Sequence, residues 1–431
     1  MNPLPVAVEA ERYLLGCILI DQDALAEVLG HVEVSDFGVS DHRSILARIV
    51  ELSDAGRRIE PLAVVEACKA HGDDLRAYVV GLTDGMPRLS NLESYTEAVK
   101  VASRRRQLIR SAAKVQTLAS DESTPLEDVI SESQKAILAV TSTGHRGRLV
   151  TAQEIIETAG GHEAMMAASI GQPSGFPDID RLSGGLKPGE VIVVAGRPAM
   201  GKTALALSLA AYSARRDNAV GIFSLEMSKE SLLSRMICAQ ANVNLAEYQR
   251  GLVSAEDRER VARAAEAIKK LQLRIDDYAT VNPLEVVAKA RAMKTTDDLG
   301  LIVIDYLQLM APATKQDNRN LELASVSRAI KLMAIELQIP VLLLSQLSRG
   351  VEQRGDKRPL LSDLRDSGSI EQDADQVWML YREVVYNPQT PDGLAAELIV
   401  RKNRNGPTGS ADLLFFREAT RFQSVSGRDE E

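Results

Sequence analysis

Gly196-Arg197-Pro198-Ala199-Met200-Gly201-Lys202-Thr203 fits the spacing G-x-x-x-x-G-K-[ST]. Glycines at those positions let backbone N–H groups curl round phosphate oxygens, and a helix starting at the loop adds its positive dipole end. Lys202 would then reach the β- and γ-phosphates of a nucleotide, and the Thr203 hydroxyl would hold Mg²⁺. A glycine turn ahead of a structural helix is the competing reading, and only the flanking elements can separate the two. Three more polar residues stand after apolar runs further on. Asp305, after Leu301-Ile302-Val303-Ile304, has the form of a Walker B aspartate, able to hold a water of the Mg²⁺ shell. Glu226, after Ile222-Phe223-Ser224-Leu225, can orient or deprotonate an attacking water. Gln346 can hydrogen-bond a γ-phosphate and report its loss.

These residues need a scaffold that delivers them to one place. Val191–Ala195 is a continuous apolar, β-branched run, as expected of a strand buried on both faces. Ala204 to Ala211 is a run of helix formers without a breaker. Strand, glycine loop and helix together make the phosphate reading the stronger one. Further apolar runs, Val220–Leu225, Leu301–Ile304, Val341–Leu344 and Val377–Leu380, alternate with helical stretches. That alternation predicts a mostly parallel sheet flanked by helices. Ligands of such sheets bind beyond the carboxyl ends of the strands. The glycine loop, Glu226, Asp305 and Ser345-Gln346 each come after a strand, so all are expected at one edge. Polar residues that merely meet solvent at strand ends are the alternative for any one of them.

Two later stretches carry cations. Ala395 to Arg404 and Gly409 to Phe416 read as a hairpin about Asn405-Gly406-Pro407-Thr408. Lys402 and Arg404 are two apart and so share a strand face near the projecting tip. An arginine supplied in trans can stabilise phosphoryl-transfer charge; a simply soluble charged tip is the rival reading. Leu364-Arg365-Asp366-Ser367-Gly368-Ser369 is a short polar loop able to track nucleic-acid phosphates through backbone amides and one arginine. A helix-capping loop would look the same.

The 431 residues exceed one ordinary domain. A net charge of −9 argues against a uniformly basic nucleic-acid coat but leaves room for a local basic channel. The three cysteines have no metal-ligand spacing and read as small buried hydrophobes in a reducing compartment. No run reaches membrane-spanning length, and a cytoplasmic location is expected. Residues 1–103 show repeated amphipathic helical spacing, with Ala10, Tyr13, Leu14 and Cys17 inward and Glu9, Glu11 and Arg12 opposite. Ser40 or Asp41 is expected to cap the helix of Asp41–Leu52, and the lone His31, His42 and His71 read as filler. Residues 104–141 read as a helical hairpin broken at Ser120–Pro125, and Arg104-Arg105-Arg106 as a solvated helix face. Residues 142–172 form a linker with a short helix interrupted at Gly160-Gly161, and 173–431 form the α/β domain. An isolated amphipathic helix cannot bury its face locally, so it is expected to dock on a neighbour.

Taken together, the motifs resemble one family, the replicative DNA helicases of the DnaB type. The resemblance runs through Glu9-Ala10-Glu11-Arg12-Tyr13-Leu14-Leu15-Gly16, Pro173-Ser174-Gly175-Phe176 with Asp180-Arg181-Leu182, and Phe223-Ser224-Leu225-Glu226-Met227-Ser228. It continues in Ile304-Asp305-Tyr306-Leu307-Gln308-Leu309, Leu344-Ser345-Gln346-Leu347-Ser348-Arg349, Arg365 to Asp375, and Lys402-Asn403-Arg404-Asn405-Gly406-Pro407. Blocks in this order are far more specific than the glycine loop alone.

The resemblance implies a RecA-like ATPase motor behind an all-α collar, assembled as a homohexameric ring that translocates on single-stranded DNA at the replication fork. It also implies a primase and a helicase loader as partners, and no membrane. It places ATP at Ala199, Gly201, Lys202, Thr203, Ala204 and Arg235, with Lys402 and Arg404 reaching the ATP of a neighbouring subunit. Glu226 is the implied base, Thr203 and Asp305 the Mg²⁺ residues, and Gln346 completes the catalytic set. Arg365, Asp366 and Gly368 match the loop on the DNA backbone, and the helix from Thr151 matches the one that latches onto the next subunit. Here the chain departs from the pattern, since each glycine of Gly160-Gly161 weakens a helix by roughly 1 kcal/mol relative to alanine. Ala199 replaces a frequent serine, a mild change where backbone amides bind. A recombinase-type ATPase without unwinding, and a scaffold with a silent motor, are the rival classes. The collar and the Lys402/Arg404 hairpin oppose the first, and Glu226 with Asp305 opposes the second.

Overall fold

The computed structural model describes residues 4–68, 73–83, 92–126, 129–130, 132–133, 136, 151–278, 282–305 and 319–425, without the side chains of 73, 74, 76, 168, 319–321 and 365–369. The chain divides into two compact units, Met1–Glu154 and Ile155–Glu431.

The first unit is helical. Val8–Ile20 buries Tyr13, Leu14, Leu15, Cys17 and Ile18 against Ile45, Leu46 and Ile49 of the helix Ser40–Asp54. Three expectations are corrected here. Glu11, placed on the outer face by helical spacing, is 0% exposed. It accepts from Gly38 N (2.6 Å), Val39 N (3.2 Å) and His42 Nδ1 (2.9 Å). Neither Ser40 nor Asp41 caps the Ser40–Asp54 helix; the carboxylate of a distant helix serves the backbone at its start. His42 is filler as expected, though fully engaged, with Nε2 2.7 Å from Tyr78 Oη. The third correction concerns Arg104-Arg105-Arg106. Arg106 is 3% exposed, donating to Pro5 O at 2.9 Å and to Asp36 O, so only its neighbours remain at the surface. Its helix runs unbroken from Leu92 to Ala119, through the point where residues 1–103 were expected to end. Ser111 Oγ donates to Ala136 O at 3.3 Å and Lys114 pairs with Glu132 at 3.7 Å, ties that fit a returning second helix.

In the linker, Ala152–Thr158 and His162–Ala168 are separate helices. Gly160 and Gly161 between them have φ of +81° and +96°, a backbone that L side chains rarely adopt. Thr151 and Glu154 form a reciprocal capping box at the start of the first.

The second unit is built on one nine-stranded sheet. Its strands are β1 (Val191–Gly196), β2 (Ala219–Ser224), β3 (Leu273–Asp276), β4 (Leu299–Asp305), β5 (Val341–Gln346), β6 (Gln376–Tyr381), β7 (Ala395–Asn403), β8 (Gly409–Phe416) and β9 (Arg421–Ser424). The order is β3-β2-β4-β5-β1-β6-β7-β8-β9, parallel through β6 and antiparallel thereafter. Period-2 alternation splits the central strands between two cores. Ile192, Val194, Ile222, Val303, Leu342, Leu344 and Trp378 face one, and Val191, Val193, Phe223, Ile304, Leu343 and Val377 face the other. Burial on both faces explains why these strands read as uninterrupted apolar runs. Among the described residues, no helix is long and apolar enough to cross a membrane.

Candidate nucleotide site

The central strands end together because they are parallel and in register. Gly196 of β1 pairs with Gln346 of β5, and Ser224 of β2 with Asp305 of β4. Leu225 N donates to Asp305 O at 2.7 Å, which carries Glu226, an exposed residue, past that edge. The expected edge therefore exists, with the glycine loop, Glu226, Asp305 and Gln346 along it.

The loop from Arg197 to Gly201 turns through two left-handed residues, Ala199 (φ +66°) and Gly201 (φ +99°). At Gly201 a side chain would also be crowded, since a Cβ would lie 3.0 Å from Phe422 Cζ and 3.3 Å from Phe415 Cε2. The two rings, 4.5 Å apart, form a floor under the loop. The helix Lys202–Arg215 starts directly from it, with Ala204 in its buried first turn. Lys202 Nζ folds back to donate to Gly196 O at 2.9 Å. Burial lowers its pKa, while the carboxylates of Asp305 and Glu226 pull the other way. Thr203 Oγ1 donates to Asp305 Oδ2 at 2.7 Å. Asp305 is 3% exposed, and burial raises its pKa against the Thr203 hydrogen bond. Glu226, Lys202 and Arg235 act on the same carboxylate, so these groups share one electrostatic neighbourhood. A hydroxyl and a carboxylate oxygen side by side are the hard donors that Mg²⁺ takes beside water and phosphate, so the pair fits that ion.

Arg235, on the helix Lys229–Ala241, lines a cavity of about 210 Å³ with Ser208, Tyr212, Gln240, Thr420 and Phe422. Among the described residues its buried Nε has no hydrogen-bond partner.

Lys402 and Arg404 lie elsewhere. β7 runs antiparallel to β6, so its end meets the start of β6, at Gln376↔Asn403. That is the edge opposite the glycine loop, roughly 17 Å away at about 3.3 Å per residue along β1. Both cations meet the last turn of the short helix Gly368–Asp373: Lys402 donates to Glu371 O and Arg404 to Gln372 O. Arg404 Nη1 also sits 3.3 Å from Asp375 Oδ1. The turn expected to project is instead docked, with Asn403 Nδ2 on Leu182 O (3.1 Å) and Asn405 Nδ2 on Glu190 Oε1 (2.6 Å). Polar turn residues found partners in their own unit, which the hairpin pattern does not reveal.

The backbone of Leu361–Ser367 is a run of 3₁₀ turns leading into Gly368–Asp373, where a loop was expected. The side chains of Arg365 and Asp366, and whatever surrounds Gly368, lie outside the described residues.

Sequence reasoning missed two features. Lys331 and Asp375 form a buried pair at 2.6 Å, and Asp375 Oδ2 also takes Val191 N at 2.8 Å. Arg382, one residue past β6, is 4% exposed and donates Nη1–H to Ala199 O at 3.1 Å. The residues just beyond the other apolar runs identify the functional strand ends; just beyond Val377–Leu380 stand Tyr381 and Arg382, so the same signal was present there.

Family models for the DnaB-like helicase N-terminal and C-terminal domains match residues 3–101 and 171–424. The replicative DNA helicase DnaB of Geobacillus stearothermophilus is 35% identical over 99% of this chain and 96% of its own. A solved DnaB-like replicative helicase, described with its interactions with primase, superposes with a TM-score of 0.72 at 31% identity, covering 96% of this chain and 99% of the other. A second solved structure, an isolated ATPase domain, gives 0.61 at 37% identity, over 64% of this chain and 99% of that domain. With both family domains present in order and a full-length relative above a third identical, the chain belongs to the DnaB-like helicases.

Proposed function

We propose that this protein is a replicative DNA helicase, in which ATP hydrolysis drives translocation along single-stranded DNA and unwinds the duplex ahead. The observation that carries the reading is Thr203 Oγ1 at 2.7 Å from the buried Asp305 carboxylate, directly beneath the glycine loop. Lys202 is to leave the Gly196 carbonyl for the β- and γ-phosphates, while loop amides and Ala204 seat the rest of the chain of phosphates. Thr203 and Asp305 would hold Mg²⁺, which when bound supplies charge neutralisation at the phosphates. Glu226, exposed past β2, orients and deprotonates the attacking water, and Gln346 reads the γ-phosphate from the end of β5. Arg235 lies at the nucleotide.

Lys402 and Arg404 stand at the far edge of the sheet, so they serve the nucleotide of an adjacent subunit. This supports assembly into a homohexameric ring. Arg365, Asp366 and Gly368 hold single-stranded DNA by its backbone in the central channel, and the helix from Thr151 latches onto the next subunit. A collar of residues 1–103, a hairpin of 104–141, a linker of 142–172 and a motor of 173–431 remain the proposed functional divisions. Primase and a loader are the proposed partners, at a cytoplasmic replication fork.

The test is strand displacement on a forked DNA with Mg-ATP. The wild type should unwind it, and Lys202→Ala should do neither hydrolysis nor unwinding. Hydrolysis stimulated by single-stranded DNA without strand separation would favour a recombinase-type ATPase instead.

A further inference from the structure

Arg382 combines three properties that are rarely found together. It is almost completely buried, it is charged, and no carboxylate among the described residues lies within ion-pair distance of it. Its guanidinium donates Nη1–H to Ala199 O at 3.1 Å, and its buried Nε has no hydrogen-bond partner among the described residues. The guanidinium carbon lies 4.2 Å from the centroid of Phe415, the ring that floors Gly201. Burial, helped by the cation of Arg417, pushes its pKa down to about 10. A buried charge is ordinarily paired, because leaving water is costly and only a nearby counter-charge offsets it. Here a carbonyl and an aromatic face are what the described residues provide.

We infer that Arg382 is a positioning residue of the phosphate loop, whose missing counter-charge is the nucleotide's phosphate chain. The inference rests on the nucleotide reading of the loop. The mechanism runs through one peptide. Ala199 O and Met200 N–H belong to the same planar unit and point in opposite directions. A cation on the carbonyl therefore fixes the direction of the amide and polarises it toward an anion. In the structure that amide makes only a 3.4 Å turn contact with Arg197 O, at the long end for a hydrogen bond. Ala199 is the one non-glycine residue of the loop with positive φ, a conformation that benefits from an external hold. Arg382 grips that residue from below, and Phe415 and Phe422 set the height of the loop.

The experiment uses the full chain and Mg-ADP, comparing wild type with Arg382→Gln, Arg382→Lys and, as a reference, Lys202→Ala. Arg382→Gln should weaken Mg-ADP binding about ten- to a hundredfold, the size expected for a charge-assisted hydrogen bond. Arg382→Lys keeps the charge and should recover a clear part of the loss. The thermal midpoint without nucleotide should stay level or rise in Arg382→Gln, since an unpaired buried charge has been removed. Mg-ADP affinity within twofold of wild type in a folded variant would overturn the inference, as would a lysine variant no better than glutamine. Should Arg382→Gln misfold, Arg382→Met keeps the packing on Phe415 and replaces it in the same comparison. If the wild type binds Mg-ADP, Lys202→Ala does not, and Arg382→Gln binds normally, this inference alone fails. If the wild type does not bind, the nucleotide reading fails with it.

Discussion

The helical unit and the surroundings of the glycine loop bury charge differently, although the α/β unit also holds a closed pair in Lys331 and Asp375. In the helical unit, Glu11 has partners for both oxygens, in two backbone amides and His42, whose other nitrogen meets Tyr78. Arg106 likewise caps carbonyls of Pro5 and Asp36. Around the glycine loop of the α/β unit, Lys202 donates to the Gly196 carbonyl and Arg382 to the Ala199 carbonyl beside the Phe415 ring, and among the described residues the Nε atoms of Arg235 and Arg382 have no hydrogen-bond partner. A buried polar group completed within the chain fixes architecture. One left incomplete, beside a loop shaped for anions, is set up for something that arrives later. Satisfaction, more than burial or charge by itself, distinguishes Glu11 and Arg106 from Arg235 and Arg382.

Mutations can break or sharpen that contrast. The largest expected effect is at Arg404, whose replacement by alanine should lower turnover about a thousandfold or more while leaving every glycine loop intact. Mixing Arg404→Ala subunits with Lys202→Ala subunits should restore some ATPase activity, because an intact loop can then face an intact arginine. Mixed assemblies confirmed by native mass spectrometry, yet silent, would place Arg404 in cis or require every interface to fire. Glu226→Gln should slow hydrolysis about a hundred- to ten-thousandfold with nucleotide affinity unchanged, measured by single-turnover kinetics and direct binding. Loss of affinity in step with rate would make Glu226 a binding residue.

Glu11→Ala should act on stability rather than on rate. It strands His42 and two amides, for about 3 kcal/mol of lost stability in the helical unit. Hydrogen exchange should show loss of protection in the helices Val8–Ile20 and Ser40–Asp54, with Mg-ADP affinity at the α/β unit unaltered. An undisturbed helical unit would refute the structural role of the carboxylate. The smallest effect is expected at Arg365. Its change to alanine should weaken single-stranded DNA binding equally across sequences and reduce the salt slope by about one, as for a single phosphate contact. An unchanged slope would return this stretch to a turn that starts a helix.

What the sequence made legible depends on burial. β1, β2, β4, β5 and β6 are covered on both faces, so each is a plain apolar run, and the glycine loop and Asp305 could be read from their ends. The edge strands β3, Leu273-Arg274-Ile275-Asp276, and β9, Arg421-Phe422-Gln423-Ser424, alternate and are short, so neither was anticipated. Glu11 and Arg106 were misassigned for a different reason. Helical spacing identifies one buried face, and cannot see a second element laid across the polar side. The docked turn at Asn405 escaped notice likewise, since its partners, Leu182 and Glu190, are more than two hundred residues away in the chain.

The placement of phosphate loop and cation pair at opposite ends of one sheet also restricts symmetry. A two-fold interface uses the same patch of both copies, so it joins loop to cation pair only where a single surface carries both. With the two groups at opposite edges of the sheet, the proposed trans role of Arg404 calls for a head-to-tail contact, one subunit's far edge against the next one's near edge. Such an arrangement is directional and does not end by itself. Left open, any row of subunits contains one loop with no arginine and one arginine with no loop. Under the proposed trans role of Arg404, closure by rotation completes every site, and opening such an assembly to admit a strand of DNA would silence the seam it creates.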